Sequence, residues 1–437
     1  MSSSSSPYVV LGTGLTGLVI WYNLIKKWVS WSDISFIDIA EKPWWLLWLC
    51  EINWQAIEWT YHHFFRSDKE LIQLANDLWV RDCLQWFNSS TAIYEHNTLY
   101  PFMTPKDILS FKPLSFFNRV RLGIVVLFLQ YFSHYQVFEQ YTAYERCKIF
   151  FWHRVTEVIR LPLLKGKFHH YFKKVSMSWL WHRLWVRGKS KNTWDLVEKL
   201  WYFVGWCHVL INTLVGELTS KGVTFHFSTT ITSIQEERLI DSNNKEYAFK
   251  KLFCTIPSYI FANLAKQSLS CEYYKHLNSI EYIGEVNMLF SSPQSLSTYY
   301  RTNINTSDSP FLVFIQHTNL VGTKYYKWQN VYYLGKYVPH DHEYMKHPEK
   351  FREDSLIYLK KMFPSFEINL IDQEYTFSFR NAQHIVDIAY KDKIPSVNTE
   401  LEHVYLVNFS QLYPEDRWLN QSVKQANEVV NSLFHNK

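Results

Sequence analysis

Apolar positions fall in short runs near the two ends of the chain and at helical spacing through its middle. Tyr8 to Leu11 is an apolar run of strand length, and Leu15 to about Lys27 then has helical periodicity. Ser35 to Ile37, closed by Asp38, reads as a second buried strand, so the N-terminus predicts a parallel β-α-β unit. Residues 68–78 carry apolar side chains at helical spacing. From about 84 to 200 the chain reads as helical and aromatic, with Pro101, Pro105 and Pro113 marking turns. Residues 203–222 read as a turn, an amphipathic helix and a stop at Gly222. Strands are predicted at Val223–Phe227, Ile231–Ile234 and Lys251–Thr255, with a turn at Asn243-Asn244. Asn287–Phe290, Phe311–Ile315 and Val331–Leu334 have the character of an antiparallel sheet. A last strand, Val404–Asn408, leads through a turn into a helix at about Leu419–Phe434.

This order predicts an α/β fold whose first domain is discontinuous. Its parts are 1–83, 201–275 and 396–437. An inserted helical substrate domain covers 84–200, and 276–395 supplies the antiparallel sheet of the same mixed second domain. Length agrees, since 437 residues suffice for two domains.

The turn between the first strand and helix carries the clearest chemistry. Gly12, Gly14 and Gly17 stand in G-x-G-x-x-G spacing. The first permits a tight turn, the second lets backbone approach a pyrophosphate, and the third lets helix pack on strand. The helix N-terminus offers N–H groups and a positive dipole end to the anion. Asp38 then stands where an acid is expected to bond a ribose hydroxyl. A signal peptide or membrane span is the competing reading of the uncharged residues 7–25. It is opposed by a serine tail with no basic residue, by lysines that follow the run, and by the lack of a cleavage site.

A net charge of +5 without any long Lys/Arg run excludes a nucleic-acid groove. Six scattered cysteines fit reduced thiols and a cytoplasmic location, and they form no disulfide framework or zinc site. Leu122–Phe132 is strongly apolar but only 11 residues long, which excludes an integral span and leaves a peripheral membrane contact open. A small-molecule substrate is the expected partner, and the sequence is silent on oligomeric state. One feature of the composition is abnormal: 19 Trp against 12 Gly in 437 residues, where glycine usually makes up about 7%. Tryptophan also stands where turn chemistry favours glycine, as at Asn53-Trp54 and Lys27-Trp28.

The motif order resembles the flavin-containing amine oxidase superfamily over nearly the whole chain. The nearest likeness is to its protoporphyrinogen oxidase, phytoene desaturase and UDP-galactopyranose mutase-like branch. Besides the glycine turn it rests on Pro162-Leu-Leu-Lys-Gly-Lys-Phe168, Val175-Ser-Met-Ser-Trp-Leu-Trp-His-Arg183, Gln316-His-Thr-Asn319, Val331-Tyr-Tyr-Leu-Gly335 and Tyr413-Pro-Glu-Asp-Arg417. The resemblance implies FAD, a Rossmann-like domain to hold it, and a substrate between the two domains. It assigns the pyrophosphate to Gly12, Gly14 and Gly17, the ribose to Asp38 and the adenine to the strand of Ile231. A glycine pair of the family, on the flavin side, corresponds to Trp44 and Trp45. The acid that ends the family's last strand is missing, leaving Asn408, with Asp416, as a partial substitute.

The same resemblance expects glycine at Trp44, Trp45, Trp54, Trp201, Trp206 and Trp418. A turn glycine also fits Trp21, Trp28, Trp31, Trp48, Trp59, Trp79, Trp152, Trp185, Trp194 and Trp328. Only Trp86, Trp179 and Trp181 read as ordinary tryptophans. One cause would explain all sixteen: UGA codons written as Trp in a lineage that reads them as Gly. Genuine Trp enrichment is the alternative, and then Trp44 and Trp45 would crowd the cofactor.

His62 and His63 follow that loop, and the resemblance places them near the flavin. Adjacent histidines of an extended chain face opposite ways, so at most one would face it. His317 is the third catalytic candidate. Lys165, Lys167, Arg183 and Arg187 form a basic group suited to an anionic substrate, a carboxylate or a nucleotide-sugar diphosphate. Gln316, Asn319 and Tyr333 are further substrate candidates, with Tyr332 and Tyr337 beside them. A solvated face or ordinary core packing is the competing reading for each. His340-Asp-His342 reads as a solvated loop, and no ligand set for a metal is present. No catalytic triad or carboxylate pair is assignable, as suits an enzyme whose cofactor carries the chemistry. The expected reaction is hydride removal from a C–C or C–N bond. The alternatives are a redox-neutral mutase acting on a nucleotide sugar and a catalytically inactive FAD-fold protein.

Overall fold

The N-terminal apolar run forms the central strand of a five-stranded parallel sheet. The computed structural model describes residues 4–5, 7–43, 49–132, 134–189, 198–204 and 208–434. The sheet order is Thr224–His226, Ile34–Ile37, Tyr8–Leu11, Lys251–Cys254, Val404–Leu406, with every neighbour parallel. Val9, Val10, Ile37, Leu252, Cys254 and Leu406 are buried because helices or a second sheet cover both faces. This is why the strands read as unbroken apolar runs and not as alternation. The helix Leu15–Lys26 packs against the C-terminal helix Leu419–Phe434, where Asn23 donates to Asn427 Oδ1 at 2.7 Å. The two ends of the chain thereby close one layer. A smaller four-stranded sheet, ordered Ser4–Ser5, Glu246–Ala248, Arg238–Asp241, Ile231–Ile234, lies beside it.

The third sheet has seven strands. Their order is Gln373–His384, Tyr282–Ser292, Asn330–Val338, Val313–Gln316, Arg301–Ile304, Thr91–Glu95, Thr98–Pro101. All pairs are antiparallel except Arg301–Ile304 with Thr91–Glu95. The predicted antiparallel sheet is thus present, and larger than expected. Two of its strands come from the segment read as helical from residue 84. Leu84–Asn88 is a strand as well, paired with Lys199–Phe203, and helices begin only at Pro105. Leu84–Asn88 and Thr91–Glu95 each depend on a partner more than a hundred residues away, a relation no local pattern carries, and Thr98–Pro101 joins the sheet as a hairpin on the second of them. The apolar run Leu122–Phe132 belongs mainly to the surface helix Phe116–Tyr131, which buries Leu122 and Leu129 and exposes Phe117, Ile124 and Tyr131.

Among the described residues, five tryptophans hold positive φ: Trp28 (66°), Trp54 (68°), Trp79 (59°), Trp152 (63°) and Trp328 (63°). Trp28 and Trp79 occupy equivalent places after two helices. Trp28 N–H bonds Ile25 O and Val29 N–H bonds Leu24 O; Trp79 N–H bonds Asn76 O and Val80 N–H bonds Ala75 O. That pattern is the Schellman motif, whose left-handed residue is usually glycine. Trp54 follows Asn53 (φ 53°) in the two-residue hairpin between Leu49–Ile52 and Gln55–Glu58, the Asn-Gly slot of a type I′ turn. Trp152 has ψ 165° inside a kinked helix, a combination that is essentially glycine's alone. Neither ring at the two helix ends repays the strain, since Trp28 and Trp79 are each 94% exposed. Of the other eleven expected positions, Trp44, Trp45, Trp48, Trp194 and Trp206 lie outside the described residues. The remaining six are not among the positive-φ residues, so their backbone makes no demand for glycine.

Two outcomes follow. Trp28→Gly and Trp79→Gly each stabilise the chain by about 1 kcal/mol, read as a higher urea midpoint with an unchanged m value. The gene carries UGA at codons 28, 54, 79, 152 and 328; UGG there contradicts the reassignment.

Candidate functional site

Strand, turn and helix at residues 8–26 are held at a separation only glycine allows. A Cβ on Gly17 would lie 2.2 Å from Gly12 O, and one on Gly12, at φ +107°, 2.3 Å from Thr255 Oγ1. Asp38 closes the turn from the neighbouring strand. Its Oδ2 accepts from Thr13 N at 2.6 Å and Thr13 Oγ1 at 2.5 Å, and its Oδ1 accepts from Ala40 N at 2.9 Å. Above this turn, at the carboxyl ends of the parallel strands, opens a cavity of about 500 Å³. Gly12, Gly14, Asp38, Ile231, Thr255 and Asn408 border it. That is where ligands bind in open parallel sheets.

Phe409, Leu419 and Ser422 are also walls of a second cavity of about 190 Å³. The second cavity is polar and charged where the first is apolar. His62, His63, Lys167, Arg183, Arg187, Arg301, Tyr337, Asp416 and Arg417 surround it, with Glu285 and Asp68. Asp416 is 2% exposed and takes Lys167 Nζ at 3.0 Å and Arg183 Nη1. These two cations hold its carboxyl far below the usual range despite burial. Beside it Arg417 Nη2 donates to Glu285 Oε2 at 3.2 Å and to the Tyr337 hydroxyl at 3.1 Å. Burial lowers the His62 imidazole to about 4, helped by Arg417. His63, which meets the Tyr300 hydroxyl through Nδ1 at 3.2 Å, is pushed well below its usual value by burial and by Arg301. Both rings are therefore neutral at pH 7. Burial acts the opposite way on Asp68, raising its carboxyl to about 7.

The structure redistributes the residues singled out by sequence. Gly12, Gly14, Asp38, Ile231 and Asn408 meet at the first cavity, with Gly17 packed beneath it. Asn408 has its side chain committed elsewhere: Nδ2 donates to Ile256 O at 2.7 Å, and Oδ1 accepts from Ser410. It pins the turn and has no carboxylate's charge to offer. Asp416 does not reach the first cavity; its ion pairs hold it in the second. His62 and His63 both border the second cavity, because residues 61–63 are irregular and strand alternation does not apply. Lys165 is exposed, stacked near Phe172, while Lys167 is the lysine turned inward.

The expected group at 316–333 does not border either cavity. Gln316 is fully buried and bonds Ser295, Asn319, Asn330 and Ser297 N. Asn319 donates to the carbonyls of Ser297 and Tyr299. The Tyr333 hydroxyl donates to Glu58 O at 2.8 Å, and His317 is boxed by Tyr202, Tyr326 and Tyr333. Burial drives His317 down to about 3, so it is a neutral core side chain. Trp44 and Trp45 lie outside the described residues. Sequence reading missed Asp68, Glu285 and Arg301, which arrive from three separate segments and share no spacing. Among the described residues there is no group of three or more His, Cys, Asp or Glu suited to a metal. No helix there is long and apolar enough to cross a membrane.

No protein-family model matches the sequence, and no curated protein matches it. Solved structures do match in fold. A provisionally named protoporphyrinogen oxidase from Exiguobacterium sp. 255-15 superposes with a TM-score of 0.76 at 15% identity, covering 100% of each chain. A reduced UDP-galactopyranose mutase gives 0.76 at 13% identity, over 99% of this chain and 96% of that one. A putrescine oxidase variant gives 0.71 at 9% identity, over 100% of both. The chain shares its fold with these three proteins. At these identities the likeness is one of fold.

The Asp68 carboxyl gives a pH signature. Folding raises its pKa from 3.8 to about 7. The folded chain therefore keeps a proton that the unfolded chain releases, and stability from this group is full below pH 4 and lost as pH rises to 7. Asp68→Asn keeps an acceptor for Phe65 N–H, which now bonds Oδ2 at 2.8 Å. In that variant the decline in urea midpoint between pH 4 and 7 is smaller than in the parent chain.

Proposed function

We propose that the chain is an FAD-dependent oxidoreductase that removes hydride from a C–C or C–N bond of a small organic substrate. The observation that carries this is the pair of adjoining cavities. One lies over a glycine turn locked to Asp38 at the ends of parallel strands; the other is lined by fixed charges. The residues present fit FAD. The turn at Gly12–Gly17 sets the helix N-terminus close on the strand and brings Gly12 and Gly14 to the cavity that would take a pyrophosphate. Asp38 is oriented by three hydrogen bonds and borders the cavity that would take the adenosine half. Ile231 and Thr230 border the same cavity.

When bound, the flavin supplies the two-electron chemistry. The chain's own residues would hold the substrate and exclude water. His62 and His63, neutral by burial, accept or donate a hydrogen bond without introducing charge. Asp68, raised by burial to about 7, and Lys167, lowered by burial to about 7, are groups of this cavity able to exchange a proton at physiological pH. The Lys167–Asp416–Arg183 cluster ties the inserted helices to the turn before the C-terminal helix and fixes the far wall. A second reading, redox-neutral chemistry on a nucleotide sugar, draws support from the arginines of this wall.

Purified protein is expected to carry a flavin absorption band that bleaches anaerobically with substrate. Asp38→Ala weakens FAD binding at least tenfold, as loss of a charged hydrogen-bond acceptor would. Gly17→Val abolishes binding through its clash with Gly12 O. Binding unchanged in both variants contradicts the assignment.

A further inference from the structure

Behind the second cavity lies a third, of about 110 Å³, which shares Leu163, Arg183, Arg187, Arg301 and Leu312 with it. Its charged lining consists of four arginines: Arg160, Arg183, Arg187 and Arg301. Among the described residues, no carboxylate lines it. The other polar groups at its wall are Thr91 and the amides Asn303 and Asn305, and the rest is aliphatic or aromatic.

The arginines are poorly compensated. Arg183 shares Asp416 with Lys167. Arg187 is acted on by Glu198, opposed by Arg301 and Arg183. Arg301 has its Nε on Asn303 Oδ1 at 3.1 Å and its guanidinium 5.8 Å from the Tyr61 ring. Arg160 is 7% exposed, lies over the Phe151 ring, and has a buried Nε with no acceptor among the described residues. Two carboxylates, Asp416 and Glu198, thus face the four arginines of this chamber, and Lys167, which shares Asp416, is lowered by burial to about 7. Fixed cations without counter-ions are costly in a closed site and strongly favour an anion that enters it.

We propose that this chamber binds the phosphoryl head of the substrate, a phosphate monoester or diphosphate, and so makes the substrate class a phosphorylated organic molecule. A phosphoryl group carries about −1.5 to −2 charge at pH 7, which matches the excess better than one carboxylate does. Arginine forks suit its oxygens in paired hydrogen bonds. The volume admits such a head and leaves the organic part in the cavity beside His62. A diamine, the kind of substrate the name putrescine oxidase gives for one fold neighbour, meets only positive charge here. The inference rests on the flavin reading of the adjoining cavities.

Calorimetric titration of FAD-saturated protein with inorganic pyrophosphate tests it, with acetate and putrescine as comparisons. One saturable pyrophosphate site is expected, with acetate at least tenfold weaker and putrescine silent. Arg301→Gln should weaken pyrophosphate at least tenfold while flavin content stays at the parent level. Arg160→Gln should do the same, and Arg301 is the safer position because it is only partly buried. The two readings fail differently. Protein that takes up no flavin yet binds pyrophosphate in an Arg301-dependent way sinks the cofactor assignment and keeps the anion chamber. Flavin-loaded protein whose pyrophosphate affinity is absent, matched by acetate, or indifferent to Arg301→Gln overturns the chamber.

Discussion

Everything in this chain is referred to one close approach, the backbone of Gly12 against that of Gly17 with Thr255 behind it. The approach sets the helix Leu15–Lys26 on the central strand. That helix receives the C-terminal helix, and the strand receives Ile34–Ile37 on one side and Lys251–Cys254 on the other. Asp38 makes the arrangement specific by tying the second strand to the turn through Thr13. A bulkier turn would part helix from strand, and the cavity above it would lose its floor.

The second organising element is electrostatic. Asp416 sits at the entry to the C-terminal helix yet bonds Lys167 and Arg183 from the helical segment, while Arg417 reaches Glu285 on the long strand of the seven-stranded sheet. Three distant parts of the sequence meet in one buried cluster. Breaking one partner of such a cluster leaves a charge stranded in low dielectric, a cost of about 3–5 kcal/mol. Fixed charge of this kind also gives a site its orientation before any ligand arrives.

How far the sequence revealed this depended on whether the signal was local. The glycine turn and Asp38 were legible because their spacing lies within forty residues, and the parallel strands because each is a short apolar run in its own right. The tryptophan anomaly was legible from composition, and the backbone then gave it a physical basis at Trp28, Trp54, Trp79, Trp152 and Trp328. The strands Leu84–Asn88 and Thr91–Glu95 were hidden because their partners lie far along the chain. Gln316, Asn319, His317 and Tyr333 drew attention as polar or aromatic residues at a strand end, yet their hydrogen bonds and packing serve the core. Arg160, Arg301, Glu285 and Asp68 gain meaning only through the tertiary fold.

We read the cavity over the glycine turn as a dinucleotide site continuous with the charged pocket. Equilibrium titration of the protein with FAD, followed by flavin fluorescence, tests it most directly. Saturable binding of one FAD per chain is expected, competed by ADP, with riboflavin alone binding far more weakly. Absence of saturable binding, or binding that ADP leaves untouched, would contradict it.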